Sequence, residues 1–254
     1  MNDSDIRDWL AEEARRWDDA AADAYDTPGE GMFEPELQAA TVSLLKELAA
    51  GGPALELGVG TGRVAIPLMD SGVPVHGVDL STAMLRRLRE KVPEARLPVT
   101  LGDMSSLRVP GAFSLVYLVF NTLSNLLSRE AQLACFNNAA RHLAPGGHFV
   151  VELWIPRLDL FPPDTRAMVT QAAPGYFCVD SLDTAAQQVT SHHIRFGEGR
   201  EARIFRSRHR YILPPEMDRM AGEVGMMLQV RYADWNRTPF YEGAPSQIAV
   251  YQKI

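Results

Sequence analysis

The sequence has few cysteines and no long apolar run. Only two of its 254 residues are cysteine, Cys135 and Cys178, so a disulfide framework or a cysteine-based metal site is not predicted. Each is expected to be a small buried hydrophobic residue. No apolar stretch approaches the roughly 18 residues that a membrane span needs, and the acidic start of the chain lacks the features of a leader peptide. The sequence therefore predicts a cytoplasmic protein without a membrane segment.

The chain has fewer basic than acidic residues, with 25 lysines and arginines against 32 aspartates and glutamates. The net charge of −7 and the isoelectric point of about 5.4 argue against a nucleic-acid partner held through its phosphates. The hydrophobic share of 46% and the charged share of 22% are those of an ordinary globular protein with ample material for a core. We expect a small-molecule partner, and a monomer or a homodimer.

The most informative stretch follows a short apolar run that begins at Ala54 and carries glycines at Gly58, Gly60 and Gly62. Glycine has no Cβ, so the backbone can turn tightly and a ligand can approach it closely. A dinucleotide fingerprint would place its third glycine where Arg63 stands, and the Gly-Lys-Ser/Thr of a phosphate-binding P-loop is missing. The loop alone predicts a nucleotide site without naming the nucleotide.

Strand and helix patterns alternate on both sides of this loop, and a parallel, doubly wound sheet is the usual result. After the first strand, further strands are predicted at 73–79, 99–103, 113–120, 148–154, 227–235 and 247–253. The intervening helices are predicted at 35–50, 81–92, 128–143 and 214–225. We predict an α/β fold with a seven-stranded Rossmann-like sheet.

Two segments fall outside this alternation. Helical spacing from Ser4 to Tyr25 predicts a helix that either packs over the core or forms a lid whose end reaches the ligand. Residues 156–175 are rich in proline and predicted to be irregular, whereas 186–196 and 202–213 predict an antiparallel β-hairpin. The predicted units are an N-terminal helical cap (1–35), a core (36–155 and 213–254) and an inserted hairpin lid (156–212).

Acidic residues end the second and third predicted strands. Asp79 has the position from which a carboxylate binds ribose hydroxyls. Asp103 can offer a carboxylate to an adenine amino group, and Met104 can offer an apolar contact to the ring.

Together these motifs resemble those of class I S-adenosylmethionine-dependent methyltransferases, over roughly residues 36–155. The motifs are Glu56-Leu57-Gly58-Val59-Gly60-Thr61-Gly62, Val78-Asp79-Leu80-Ser81, Met84-Leu85 and Gly102-Asp103-Met104. Asn121-Thr122-Leu123-Ser124-Asn125-Leu126 and Val151-Glu152-Leu153-Trp154-Ile155-Pro156 are similar to segments of small-molecule methyltransferases of bacterial secondary metabolism, such as amino-sugar N,N-dimethyltransferases.

The resemblance implies S-adenosylmethionine as cofactor and a role for each matching residue. The glycines would lie against its methionine part, Glu56 would help to hold its ammonium group, Asp79 would bind the ribose, and Asp103 would bind the adenine. The Phe120 carbonyl would accept a hydrogen bond from the ammonium group. The candidate cofactor contacts are Tyr25, Glu56, Gly58, Gly60, Gly62, Arg63, Asp79, Leu80, Met84, Asp103, Met104, Phe120 and Asn121.

Other features narrow the methyl acceptor. Enzymes that methylate DNA bases or protein amides carry Asp/Asn-Pro-Pro-Tyr/Phe where this chain has Asn121-Thr122-Leu123-Ser124, and the carboxylate cluster of metal-dependent O-methyltransferases is missing. We therefore predict metal-independent transfer to nitrogen or oxygen of a small metabolite.

The hairpin supplies the candidate bases, His192 and His209, each of which is either a base or a hydrogen-bonded packing histidine. Strand alternation places His192 with Ile194 and Phe196 on an apolar face that we expect to point inward. The candidate substrate contacts are Asn125, Trp154 and Tyr211, and the hairpin's arginines Arg206, Arg208 and Arg210 are expected on a solvated face.

Two alternatives stay open. The glycine loop and Asp79 are also compatible with a nicotinamide-dependent oxidoreductase. The lack of an obvious base is compatible with a methyltransferase-like binding protein without catalysis.

Overall fold

A computed structural model of the chain describes residues 17–161, 165–197 and 201–254. Most of the helix predicted from Ser4 lies outside these residues. Within them, the N-terminal segment forms the short helix α1 (Asp19–Asp23), whose Asp18 cap accepts a hydrogen bond from the Ala21 N–H at 2.9 Å. No helix in these three ranges has both the length and the apolar character that a membrane crossing requires.

The larger of two sheets has seven strands and confirms the predicted fold class. Its strands are β1 (Ala54–Leu57), β2 (Val75–Asp79), β3 (Val99–Leu101), β4 (Phe113–Leu118), β5 (Leu143–Trp154), β10 (Met226–Tyr232) and β11 (Ser246–Lys253). Their order across the sheet is β10-β11-β5-β4-β1-β2-β3, with β1 to β5 parallel and with β11 antiparallel to both of its neighbours. The carboxyl ends of the parallel strands therefore meet at one edge.

Helices cover both faces of this sheet. They are α2 (Pro35–Ala49), α3 (Ala65–Asp70), α4 (Thr82–Lys91), α5 (Arg129–His142) and α6 (Pro214–Glu223). Phe136, Phe149 and Met217 are buried in the core on one face, and Leu44 and Tyr117 are buried in the core on the other. Each such side chain contributes about 2–3 kcal/mol by burial. Burial on both faces explains why β4 is an almost unbroken apolar run.

The second sheet is larger than the predicted hairpin. It has four antiparallel strands in the order β6-β7-β8-β9, and β8 (Gln188–Phe196) and β9 (Ala202–Arg210) form the predicted hairpin. The structure adds β6 (Ala167–Ala173) and β7 (Tyr176–Asp183), part of which was predicted to be irregular. Most of β6 is exposed, so pairing with β7 rather than burial defines it, and the hydrophobic pattern of a half-buried strand is missing.

Two strand boundaries also differ from the prediction. Strand β5 begins at Leu143 rather than at residue 148, because Leu143 pairs with Phe113, and the register then shifts before His148 pairs with Leu115. Strand β4 ends at Leu118, since Phe120 and Asn121 turn the chain with φ angles of 53° and 61°.

Candidate active site

The glycine loop after β1 turns through three glycines with positive φ, which are Gly58 (80°), Gly60 (55°) and Gly62 (85°). They differ in what surrounds them. A Cβ on Gly58 would meet Thr122 Cγ2 at 2.5 Å, and one on Gly62 would meet Ile66 Cδ1 at 2.8 Å, whereas one on Gly60 would point into open space. Gly60 is thus the point where a ligand can touch the backbone, and Gly62 is required by packing against α3.

Asp79 closes the loop from the end of β2. Its Oδ2 accepts a hydrogen bond from the Gly60 N–H at 2.7 Å, and its Oδ1 accepts one from the Ser81 N–H at 2.8 Å. Burial raises the pKa of this carboxyl above its ordinary value of 3.8. Because a carboxylate oxygen has two lone-pair sites, each oxygen keeps one for a ribose hydroxyl. The surroundings of Asp79 fit the role that the resemblance implies.

Asp103 is tied to its own turn. Its Oδ1 accepts a hydrogen bond from the Ser105 N–H at 2.8 Å, and its Oδ2 accepts one from the Ser105 hydroxyl at 2.7 Å. It lies in one pocket with the loop, and the pocket is lined by Trp17, Tyr25, Gly58, Gly60, Val78, Asp79, Leu80, Ser81, Met84, Gly102, Asp103, Met104, Thr122 and Asn125. These residues offer strand-end carboxylates for a nucleoside and apolar side chains for a base, so they fit S-adenosylmethionine.

Glu56 and Arg63 do not line this pocket, and both contact aromatic residues next to it. Glu56 is buried and accepts a hydrogen bond from the Tyr117 hydroxyl at 3.0 Å. Burial raises the pKa of Glu56 to about 8. The Arg63 guanidinium lies 5.4 Å from the centre of the Phe120 ring, and its Nη1 donates to the Met32 carbonyl at 3.2 Å.

The N-terminal segment lies over the pocket. The Trp17 carbonyl accepts a hydrogen bond from the Ser81 hydroxyl at 2.6 Å, and Asp26 Oδ1 accepts one from the Thr61 hydroxyl at 2.6 Å. Between these anchors Tyr25 lines the pocket, and desolvation raises the pKa of its hydroxyl to about 12. The end of this segment therefore reaches the candidate cofactor site.

A strained turn follows β4 at the sheet's carboxyl edge. Phe120 and Asn121 both have positive φ, which costs a non-glycine residue about 1–3 kcal/mol. The Phe120 N–H donates to Glu152 Oε2 at 2.6 Å, and Asn121 Oδ1 accepts from the Trp154 N–H at 3.3 Å. The turn is thereby attached to the end of β5.

His209 is joined to this turn through Ser124. The Ser124 hydroxyl donates to the Asn121 carbonyl at 2.7 Å, and the Asn121 side-chain amide donates to Ser124 Oγ at 2.7 Å. Ser124 Oγ lies 3.0 Å from His209 Nδ1. This contact holds the imidazole ring through Nδ1, and a neutral imidazole can take up a proton near neutral pH. Sequence reasoning gave Ser124 no role of its own, since its contact with His209 joins residues 85 positions apart.

The placement of His192 on the inner face is wrong. His192 pairs with Val179 and Arg206 on the outer face of the second sheet, and its neighbour His193 lines the cavity instead. The apolar face was taken to be the inner one, but Phe196 on the same face as His192 is 53% exposed.

The solvated position predicted for Arg210 is also wrong. Arg210 is buried and forms an ion pair with Glu216 at 2.8 Å. It also donates to the side-chain oxygens of Gln132 at 2.6 Å and of Gln187 at 2.5 Å. Its guanidinium therefore joins β9 to α6, the next helix along the chain, and to α5, which lies far from the hairpin in sequence.

A cavity of about 740 Å³ lies between the second sheet and the carboxyl edge of the first, and it shares Trp17, Tyr25, Thr122 and Asn125 with the cofactor pocket. The predicted substrate contacts Asn125, Trp154 and Tyr211 line it, as do His193 and His209. Across the ranges that the structure describes, His, Cys, Asp and Glu side chains do not gather in threes as metal ligands.

Comparison with known proteins agrees with this geometry. The family described as "Methyltransferase domain" matches residues 54–147. The dTDP-3-amino-3,4,6-trideoxy-alpha-D-glucopyranose N,N-dimethyltransferase of Streptomyces venezuelae is 34% identical over 100 residues, which are 39% of this chain and 41% of the relative. The match thus spans less than half of that relative's length.

Two solved structures cover nearly the whole chain. The CalS10 amino pentose methyltransferase of Micromonospora echinaspora, solved with S-adenosylmethionine, has a TM-score of 0.66 at 18% identity, covers 92% of this chain and is itself covered to 97%. It shows that the fold is shared. The CcbJ methyltransferase of Streptomyces caelestis has a TM-score of 0.76 at 35% identity and 96% coverage of both chains. The chain therefore belongs to the S-adenosylmethionine-dependent methyltransferase family.

Proposed function

We propose that this chain transfers a methyl group from S-adenosylmethionine to an amine nitrogen of a small metabolite. The observation that carries the proposal is the junction of the two pockets at Tyr25, Thr122 and Asn125. A donor in one pocket and an acceptor in the other would meet there, and His209 lines the acceptor side. When bound, the cofactor supplies a methyl group on a positively charged sulfur, which a nucleophile attacks in line.

The protein's part in this reaction is alignment and the removal of one proton. An aliphatic amine is protonated near neutral pH and attacks only after that proton has left. The His209 imidazole can take it, since this side chain lines the cavity and Ser124 holds its ring through Nδ1. A weak base of this kind suits an amine better than an aliphatic alcohol, whose proton is far less acidic.

The second sheet offers a polar band for the rest of the acceptor. Asp180, Ser191 and Ser207 lie side by side on β7, β8 and β9 and line the cavity. Ser207 of this band lies two residues from His209 along β9, a distance of about 7 Å. We propose that it binds hydroxyl groups on a polyfunctional acceptor and that residues 156–212 act as the substrate-binding insertion. A volume of about 740 Å³ suits a metabolite larger than a single sugar ring.

Amino-sugar derivatives are the acceptor class that we favour. The Streptomyces venezuelae relative is named for N,N-dimethylation of an amino-sugar nucleotide, and the CalS10 structure is described as an amino pentose methyltransferase. Both names concern those proteins. They support the choice of nitrogen over oxygen here, together with the weak base on the cavity wall.

The experiment is methyl transfer from radiolabelled S-adenosylmethionine to a panel of free and nucleotide-linked amino sugars, each paired with its hydroxyl counterpart. We expect label in the amine member of a pair and none in the hydroxyl member. Label in the hydroxyl member alone would establish an O-methyltransferase, and S-adenosylmethionine binding without transfer to any partner would favour a binding protein.

Substitutions at the two histidines test the role of His209. His209→Gln is expected to lower turnover at least tenfold at unchanged S-adenosylhomocysteine affinity, since general acid–base catalysis contributes about 10²–10⁴. His192→Gln, on the outer face of the same sheet, is the matched control and should keep the wild-type rate. Equal turnover rates for the two variants would show that His209 is a packing histidine and not a base.

A further inference from the structure

The turn after β4 is the one place where two consecutive non-glycine residues in the described part of the chain have positive φ. Phe120 and Asn121 are both in the left-handed region, with φ of 53° and 61°. The Cβ of an ordinary residue crowds the backbone there, and for a bulky aromatic residue this conformation is an outlier. Such a turn persists only when its surroundings determine it.

The group that determines it is the side chain of Glu152 near the end of β5. Glu152 Oε2 accepts a hydrogen bond from the Phe120 N–H at 2.6 Å, and the Glu152 carbonyl accepts one from the Asn121 N–H at 3.3 Å. Glu152 Oε1 accepts one from the indole N–H of Trp235 at 2.8 Å. Trp235 is itself buried, so the carboxylate is held on both sides.

This arrangement requires two acceptors. Each oxygen of Glu152 faces a different N–H donor, one from Phe120 and one from Trp235. A carboxylate accepts at both oxygens, whereas a glutamine amide of the same shape has one acceptor and one donor. In a glutamine variant one N–H would therefore face another N–H and stay unpaired, which is costly even in this partly buried position.

We propose that Glu152, held by Trp235, is a positioning residue that sets the Phe120–Asn121 turn and through it both halves of the site. On the cofactor side, the turn borders the shared junction at Thr122. On the acceptor side, Asn121 fixes Ser124, which in turn holds the imidazole. The acceptor half of this inference rests on the proposed function, and the cofactor half does not.

A double-mutant cycle tests it, with S-adenosylhomocysteine affinity by calorimetry as the first readout. Glu152→Gln is expected to weaken binding about tenfold, because one buried donor loses its partner. Trp235→Phe removes the second donor and should have a small effect by itself. In the double variant the single glutamine oxygen is left for the Phe120 N–H, so we expect affinity to return to within about threefold of wild type.

Asp218→Asn is the matched control. Its Oδ1 accepts from two donors, the Tyr251 hydroxyl at 2.7 Å and Arg231 Nη2 at 2.5 Å, and Asp218 lines neither pocket. The asparagine removes the negative charge of the Arg231 ion pair. This variant is expected to lose stability and to keep S-adenosylhomocysteine affinity, which separates positioning from general destabilisation. An equal loss of affinity in both carboxylate variants would overturn the proposal.

The remaining outcomes are also decisive. Wild-type affinity in Glu152→Gln, or a double variant as weak as Glu152→Gln alone, would overturn the proposal. If Glu152→Gln does not fold, the double variant is the test. It has one glutamine oxygen for the one remaining donor, the Phe120 N–H, so it must fold and bind S-adenosylhomocysteine. These binding measurements need no methyl acceptor, so they stand even if amine methylation fails. With an acceptor, turnover should follow the same pattern.

Discussion

Replacing Asp79 by asparagine probes the cofactor site most directly. Each oxygen of Asp79 already accepts one backbone N–H, from Gly60 at 2.7 Å and from Ser81 at 2.8 Å. Asparagine keeps one acceptor and turns a donor toward the other N–H, so the loop and the ribose hydroxyls both lose a charged acceptor. A hydrogen bond to a charged group contributes about 1.5–3 kcal/mol, and 1.4 kcal/mol corresponds to a factor of ten.

We therefore expect Asp79→Asn to weaken S-adenosylhomocysteine binding about tenfold to a hundredfold in calorimetry near neutral pH. Burial raises the pKa of Asp79, so the amide also relieves a desolvation cost and the effects on folding oppose each other. Affinity rather than stability is for that reason the deciding measurement. The control is Asp70→Asn, an exposed acid on α3 that pairs with Arg96.

The pH dependence gives the same reasoning a second test. Since the carboxylate form accepts the ribose hydroxyls, wild-type affinity should fall as the pH drops through the raised pKa of Asp79, while the asparagine variant loses this part of the dependence. An Asp79→Asn protein that binds as tightly as wild type near neutral pH would refute the ribose role.

Three further predictions concern the support of the site. Burial raises the pKa of Glu56 from 4.5 to about 8. The stability that Glu56 contributes is therefore complete below pH 4.5 and is lost as the pH rises to about 8. In urea unfolding, Glu56→Gln should make the free energy of unfolding less dependent on pH over this range. Gly60→Ala should weaken S-adenosylhomocysteine binding and lose only the stability that a positive φ costs an alanine, whereas Gly62→Ala should destabilise more, because its Cβ also meets the Ile66 side chain. A larger loss of S-adenosylhomocysteine affinity in Gly62→Ala than in Gly60→Ala would contradict this assignment. Arg210→Met should cost about 3 kcal/mol in urea unfolding, partly recovered by Glu216→Leu, because it leaves the partly buried Glu216 carboxylate without its cationic partner.

The fold was largely predictable because its signals are local. Strands buried on both faces, such as β4, are continuous apolar runs, and successive parallel strands are joined by a crossover segment that is usually a helix. Strand β6 was missed because it is mostly exposed and its pairing with β7 brings in no hydrophobic pattern. Its existence depends on a partner strand and not on its own residues.

The two halves of the site differ in the same way. The glycines and Asp79 are recognisable because each lies directly after a strand, and the ends of parallel strands meet at one edge. No comparable rule tells which face of an inserted hairpin is turned inward. His192 and His193 are adjacent in sequence, and only the packing of the second sheet decided that His193 lines the cavity.

What the sequence determined by itself is therefore the sheet, the glycine loop and the strand-end acids, all of which follow from hydrophobic period and local turn chemistry. Tertiary structure decided the burial of Arg210, the contact between Ser124 and His209 and the holding of the Phe120 turn by Glu152. The Arg210–Gln132, Ser124–His209 and Phe120–Glu152 contacts join residues that are 78, 85 and 32 positions apart. The partner of each of these side chains depends on how the helices and strands pack, and this packing cannot be read from a pattern along the chain.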